Sequence, residues 1–303
     1  MSLHNIGQLR GPEKALWSGS PRCAQLDLRV GEPDADDPGS GHGWGDTRVI
    51  RAEVIAALLL GVQPGEAGYN PVIWLSGARI AGELSLPFAD VHTTMLLENC
   101  YFEERPDLYF ASLGFTSLRG SVIPGLLASN LRVNGHLRLS GCFLDGEVTL
   151  RGAKIAGGLL LERARMRGPA GWSLDGERLK VAGDVNMNEG FVSEGELRLF
   201  NAQIGGSLNL VGARVSAPDG RALSADNIHT DGSIYANRAN IDGQVLLRHA
   251  TLAGGLFLSD MHLSSRAGPA LLGARLDAEE GLFLDGSDAR VGYGLTTRGS
   301  AAT

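Results

Sequence analysis

The chain has 303 residues, of which 43% are hydrophobic and 20% charged, a globular composition with ample apolar material for a core. Its 43 glycines follow no Gly-X-Y period, which excludes a collagen-like fibre, and a net charge of −7 argues against direct nucleic-acid binding. The three cysteines, Cys23, Cys100 and Cys142, include no CxxC pair, which argues against a disulfide framework and a structural zinc site.

In chain order, residues 1–70 form an N-terminal segment outside any repeat. No secretory signal is legible in it, and the longest apolar run, "VIAALLLGV" at 54–62, is too short to span a membrane; the expected location is the cytoplasm. The stretch "GEPDADDPGSGHGWG" (31–45) reads as a loop. Its Asp34, Asp36 and Asp37 form a D-x-D-D cluster, similar to the acid motif of class II terpene cyclases, in which the middle aspartate protonates an alkene. Such carboxylates also suit a hard cation, and the plainer reading is a solvated acidic turn before Pro38. With Trp44 and Arg48 nearby, these acids are the catalytic candidates. Next, "GDTRVIRAEVIAALLLG" (45–61) predicts a helix over about 46–60, capped by Asp46 or Thr47, with a stripe of Ile50, Val54, Ile55, Leu58 and Leu59 and a stop at Gly61. Its expected role is to cover the open end of a repeat region that begins at residue 71.

From residue 71 to 284 the chain repeats. In "CFLDGEVTLRGAKIAGGLLL" (142–161), Cys142, Leu144, Gly146, Val148 and Leu150 align with Ala153, Ile155, Gly157, Leu159 and Leu161. The unit A-x-I-x-G-x-L-x-L-x-x is eleven residues long and recurs at Ala78, Ala202, Ala239 and Ala250. Apolar positions two apart within a unit give a strand period. The glycine marks one corner, and the three-residue step from Leu150 to Ala153 marks a second. A longer period overlies the short one: Leu131, Leu179, Ile228 and Leu276 re-enter the register 48, 49 and 48 residues apart, after loops beginning at Pro124, Pro169, Pro218 and Pro269. These loops are expected to stack along one edge. The predicted fold is an all-β solenoid, a right-handed parallel β-helix with about 22 residues per coil and an N-terminal capping helix.

The small-x-large steps at Ala153-Ile155, Ala202-Ile204 and Ala250-Leu252 resemble those of pentapeptide-repeat and related right-handed β-helix proteins. Strict five-residue spacing fails, because every second step is six, so the resemblance is one of architecture. The chain also resembles large actinobacterial proteins of this kind that are often labelled oxidoreductases. No G-x-G-x-x-G fingerprint accompanies that label here.

Residues 285–303 form a small, polar C-terminal tail with no apolar cap, which predicts a partner at that end or a longer parent chain. On the solenoid, the residue between the leucines of L-x-L must face outward. Coil by coil this column reads Arg138, Leu160, Asn186, Asn209, Tyr235, Phe257 and Phe283, so an exposed aromatic ladder is expected in its last three members. The expected function is a non-catalytic scaffold or protein-interaction module, self-associating or binding a protein through Tyr235, Phe257 and Phe283. It needs no cofactor and no metal. Two alternatives are a surface enzyme site, carbohydrate-active or of the D-x-D-D type, and a DNA mimic that binds a topoisomerase through outward acids such as Glu147, Asp184 and Glu196.

Overall fold

The computed structural model of the chain describes residues 8–285 and 288–289. From residue 72 onward the chain winds into stacked coils whose strands pair only in parallel. Register partners confirm the coil length: Leu137 pairs with Leu159 and Arg132 with Lys154, each 22 residues on. Three sheets result, of eleven, fourteen and nine strands among the described residues, here called A, B and C. Sheet B bends through a corner, so each coil has four sides. In one coil these are 132–133 in sheet C, 137–138 in A, and 143–145 and 148–149 in the two halves of B.

Alternation of side chains sends two residues per side inward. In that coil Leu131, Val133, Leu137, Leu139, Cys142, Leu144, Val148 and Leu150 are all buried. Their repetition makes one continuous apolar core along the axis. At two corners the residue just before the inward small side chain takes a left-handed backbone. Gly141 (φ 67°) does so before Cys142 and Gly152 (φ 65°) before Ala153, with Arg163 and Asn201 in the same roles before Ala164 and Ala202. Of the motif glycines, Gly82, Gly135, Gly146 and Gly243 also take positive φ, whereas Gly157, Gly206 and Gly254 do not. Gly157 has no left-handed φ, but a Cβ there would lie 2.8 Å from the carbonyl carbon of Gly135 and 2.9 Å from its oxygen. Two backbones meet at that corner without room for a methyl group. Gly157→Ala is therefore expected to cost about 1–3 kcal/mol as the coils are forced apart, read as a lower urea midpoint.

The longer period is a corner that lengthens on alternate coils. From Leu144 to Val148 the step is four residues, and from their partners Met166 to Leu174 it is eight. The step is again eight from Val215 to Leu223. The loops stack on one edge as expected, and Arg266 on one reaches Asp219 on its neighbour at 3.6 Å. Pro124–Gly125 lies on the same edge but turns tightly, without protruding. The inward slot after this edge alternates in size: Leu131, Ala153, Leu179, Ala202, Ile228, Ala250, Leu276, all buried. Each large residue follows a Pro-containing corner.

The N-terminal segment closes the first coil. Helix α1 (Gly11–Gly19) packs beside it, strand β1 (Leu26–Asp27) pairs with Leu75–Ser76, and strand β2 (Val49–Arg51) pairs with Arg79–Ala81. Helix α2 (Ala52–Leu59) then lies over the core opening with Ala52 and every residue from Val54 to Leu59 buried. The capping helix is thus shorter than the predicted 46–60. Asp46–Arg48 form a 3₁₀ turn, and β-branched Val49 and Ile50 are drawn into the edge of sheet B. Neither Asp46 nor Thr47 caps α2, whose N-cap is Arg51. At the other end, Asp288–Ala289 pair with His262–Leu263 in sheet B. The rest of the predicted 285–303 tail beyond Asp285 lies outside the described residues. No helix among the described residues is long and apolar enough to cross a membrane.

Candidate functional site

Sheet A carries the predicted column. Arg138, Leu160, Asn186, Asn209, Tyr235, Phe257 and Phe283 are partners rung by rung. The three rings form a continuous stack: Tyr235 and Phe257 have centroids 5.0 Å apart at 19°, and Phe257 and Phe283 4.5 Å apart at 0°. Strand spacing of about 4.8 Å suits such a stack, and each ring pair adds about 0.5–1.5 kcal/mol beyond its buried area. The rings are half-buried rather than fully exposed, because each covers a face of the next. Gly255, two residues before Phe257 on the same face, leaves space for them. A Cβ there would lie 2.9 Å from Phe257 Cε2 and 3.2 Å from Phe283 Cε2.

A second aromatic group was not apparent from the repeat. Phe88 (70% exposed), Tyr109 (41%) and Phe110 (40%) project from the corner that leads into sheet C. Phe88 and Phe110 are stacked at 5.6 Å, and Tyr109 meets them edge-on at 5.5 and 4.7 Å. Phe88 (φ 57°) and Phe110 (φ 54°) occupy the left-handed position that Asn130, Gly152, Arg178, Asn201, Asn227, His249 and Arg275 fill on later coils, so they are the only aromatic carbocycles at this corner among the described residues. A phenylalanine there is held at a cost of about 1–3 kcal/mol. The signal was present as "PFA" at 87–89 and "YFA" at 109–111, 22 residues apart, where the residue before the alanine must turn left-handed.

The D-x-D-D acids are tied into the fold. Asp36 accepts hydrogen bonds from the Val30 and Gly31 amides at 3.0 and 2.7 Å and from Arg48 Nη1 at 3.0 Å. Burial alone would raise the Asp36 pKa. The two amides and the Arg48 guanidinium outweigh it and hold the carboxyl below its ordinary value. Arg48 in turn lies over the Trp44 ring at 3.5 Å and donates to the Gly77 carbonyl at 2.7 Å, which fastens the loop to the first coil. Asp37 caps the 3₁₀ turn Pro38–Gly43 by accepting from the Gly39 amide at 2.9 Å, and Asp34 is exposed. The middle acid, which would have to be protonated to act on an alkene, is thus kept ionised.

The second half of sheet B carries acids paired with arginines on successive coils. Asp175 meets Arg151 at 2.7 Å, Glu196 meets Arg198 at 2.9 Å, and Asp226 meets Arg248 at 2.5 Å. Ser224 Oγ also donates to Glu196 Oε1 at 2.5 Å. The carboxylates are buried or nearly so and the guanidinium groups lie over them. This is a charge lattice that stitches rungs together. Cys100 and Cys142 fill inward slots, where burial pushes both thiols up to about 12, far from a reactive thiolate. No group of three His, Cys, Asp or Glu among the described residues is arranged to hold a metal ion.

No protein-family model, no curated protein and no solved structure matches the chain.

Proposed function

We propose that the chain is a non-catalytic β-helix scaffold that associates with a second copy of itself through its aromatic surfaces. The observation that carries this reading is the exposed Phe88–Tyr109–Phe110 group, in which two phenylalanines sit in a backbone conformation that favours Gly or Asn. Strain held at an exposed apolar cluster points to a contact made outside the monomer. A second copy is the favoured occupant because its rungs have the same spacing, so rings from two solenoids can interleave in an isologous interface. The ladder of Tyr235, Phe257 and Phe283 offers another surface of the same periodicity. The four-sided coil with two inward residues per side supports kinship of architecture with pentapeptide-repeat-like helices.

The acids support the other readings less. Asp36 and Asp37 have structural roles. Of the outward acids a DNA mimic would use, Glu196 pairs with Arg198, Glu147 lies 4.0 Å from Arg105, and Asp184 accepts from the Ser207 amide.

Light scattering on the wild type, on Phe88→Asn/Phe110→Asn and on Tyr235→Ser/Phe257→Ser tests the proposal. The expected result is a wild-type dimer that becomes monomeric in the first variant, whose asparagines keep the left-handed turns and thermal stability. A monomeric wild type, or a dimer untouched by both variants, would sink it.

A further inference from the structure

Sheet C carries a different column. Its outward residues Arg132, Lys154, Lys180, Gln203, His229 and Thr251 are partners on consecutive rungs. Three cations therefore follow one another at about 4.8 Å, an arrangement in which like charges directly opposite are destabilising. Several cations elsewhere are neutralised, Arg79 by Glu103, Arg151 by Asp175, Arg163 by Glu189 and Arg248 by Asp226. Others among the described residues, such as Arg165 and Arg214 on sheet B, have no carboxylate partner either, but Val192 separates them, so the unbroken row is what sets sheet C apart. Among the described residues, Arg132, Lys154 and Lys180 have no carboxylate partner, and all three are exposed. Two of the three lysines in a chain of net charge −7 are placed here. Beside the column runs a groove of about 600 Å³ that spans five coils, from Arg132 to His229. The small residues Ala156, Ala182 and Gly205 lie along it.

We infer that this groove binds a linear acidic polysaccharide lying along the solenoid axis, with its carboxylates on Arg132, Lys154 and Lys180. Charge complementarity selects a polyanion, because an unpaired cation row is stabilised when a row of anions faces it. The column then continues with Gln203, His229 and Thr251, side chains with donors and acceptors suited to hydroxyl groups, and the one carboxylate lining the groove among the described residues, Asp231, lies at this end, 3.1 Å from His229 Nε2. A ligand that carries both charges and hydroxyls along its length fits that order. Single-stranded nucleic acid fits less well, since it uses aromatic platforms for its bases and no Phe, Tyr or Trp lines this groove. An acidic peptide would present its backbone to a sheet face whose own amides and carbonyls are already paired between rungs.

The test is titration calorimetry of the full chain with polygalacturonate at low salt, beside dextran, polyglutamate and poly(dT). Polygalacturonate is expected to bind, to weaken as salt rises, and to lose about tenfold or more in affinity with Lys154→Gln/Lys180→Gln. Lys14→Gln, an exposed change on α1, should leave binding intact. Both altered lysines of the double variant are exposed, so an unchanged thermal unfolding curve separates lost binding from lost fold. Failure of the wild type to bind polygalacturonate, or equal affinity in the double variant, overturns the assignment. Equal binding of polyglutamate or poly(dT) overturns the polysaccharide and leaves only charge. None of these outcomes bears on self-association through the aromatic surfaces.

Discussion

Phe191→Ala is expected to cost about 3–5 kcal/mol, the range for emptying a buried aromatic site. Phe191 is fully buried in a corner slot that holds alanine on both neighbouring rungs. The amide of Val192 bonds to the Ala164 carbonyl, and the amide of Arg214 bonds to the Phe191 carbonyl, so Ala164 and Ala213 flank the ring. With alanine above and below, no neighbouring side chain is long enough to fill the hole. Coils of a solenoid touch only their neighbours, so the damage falls on one stretch of the stack. Urea unfolding followed by circular dichroism should show a lower midpoint, with the early loss centred on the coils around Phe191. A change below about 1 kcal/mol would mean that the corner collapses around the void.

The second large effect is expected at Glu13, whose side chain is completely buried between α1 and β2. It accepts from the Arg10 amide at 2.8 Å, the Arg51 amide at 3.2 Å, and Arg51 Nε and Nη2 at 2.8 Å each. Burial raises its pKa, while the Arg51 side chain and the two amides lower it more, so the carboxyl titrates below its ordinary value of 4.5. Glu13→Gln leaves the Arg51 charge without its buried partner and should cost about 3 kcal/mol, the lower end for a broken buried pair, because Arg51 is partly exposed. A lowered folded-state pKa means that the stabilisation from ionised Glu13 is fully present above the unfolded pKa near 4.5 and is lost as pH falls through the folded pKa. The stability gap between wild type and Glu13→Gln should therefore be constant near neutrality and narrow below pH 4.5. A gap that persists unchanged into acid would show that the charge is not what holds α1 down.

The coil was legible because its constraint is steric and repeats at every turn. Leu131, Leu179, Ile228 and Leu276 mark the longer period, and the L-x-L rule places Tyr235, Phe257 and Phe283 on the one column where their rungs pair. The cap was less legible. Leu26–Asp27 and Val49–Arg51 are too short to show a period, and they are strands only because the first coil offers them a partner. Within "RVIRAEVIAALLL", helix and strand patterns overlap, and tertiary pairing decides where one gives way to the other. Phe88 and Phe110 are hidden in the sequence for another reason. Their peculiarity is a backbone angle, and it becomes visible only when the same corner is compared on many coils. The pairing of Glu196 with Arg198 depends on where a side chain two residues away points, and the placement of Asp175, Arg198 and Ser224 on consecutive rungs emerges only once the long corners are in register.

The alternation of Leu131, Ala153, Leu179, Ala202, Ile228, Ala250 and Leu276 gives the molecule a quantum of growth. Copying or deleting a single coil would set leucine on leucine or alanine on alanine at the join. Copying two coils together, 48 or 49 residues, restores big-on-small and also carries one long corner with it. A lineage of such chains can therefore lengthen or shorten like a telescoping rod in increments of about 10 Å, two rungs at a time. Every ladder on its sides keeps its pitch through such a change.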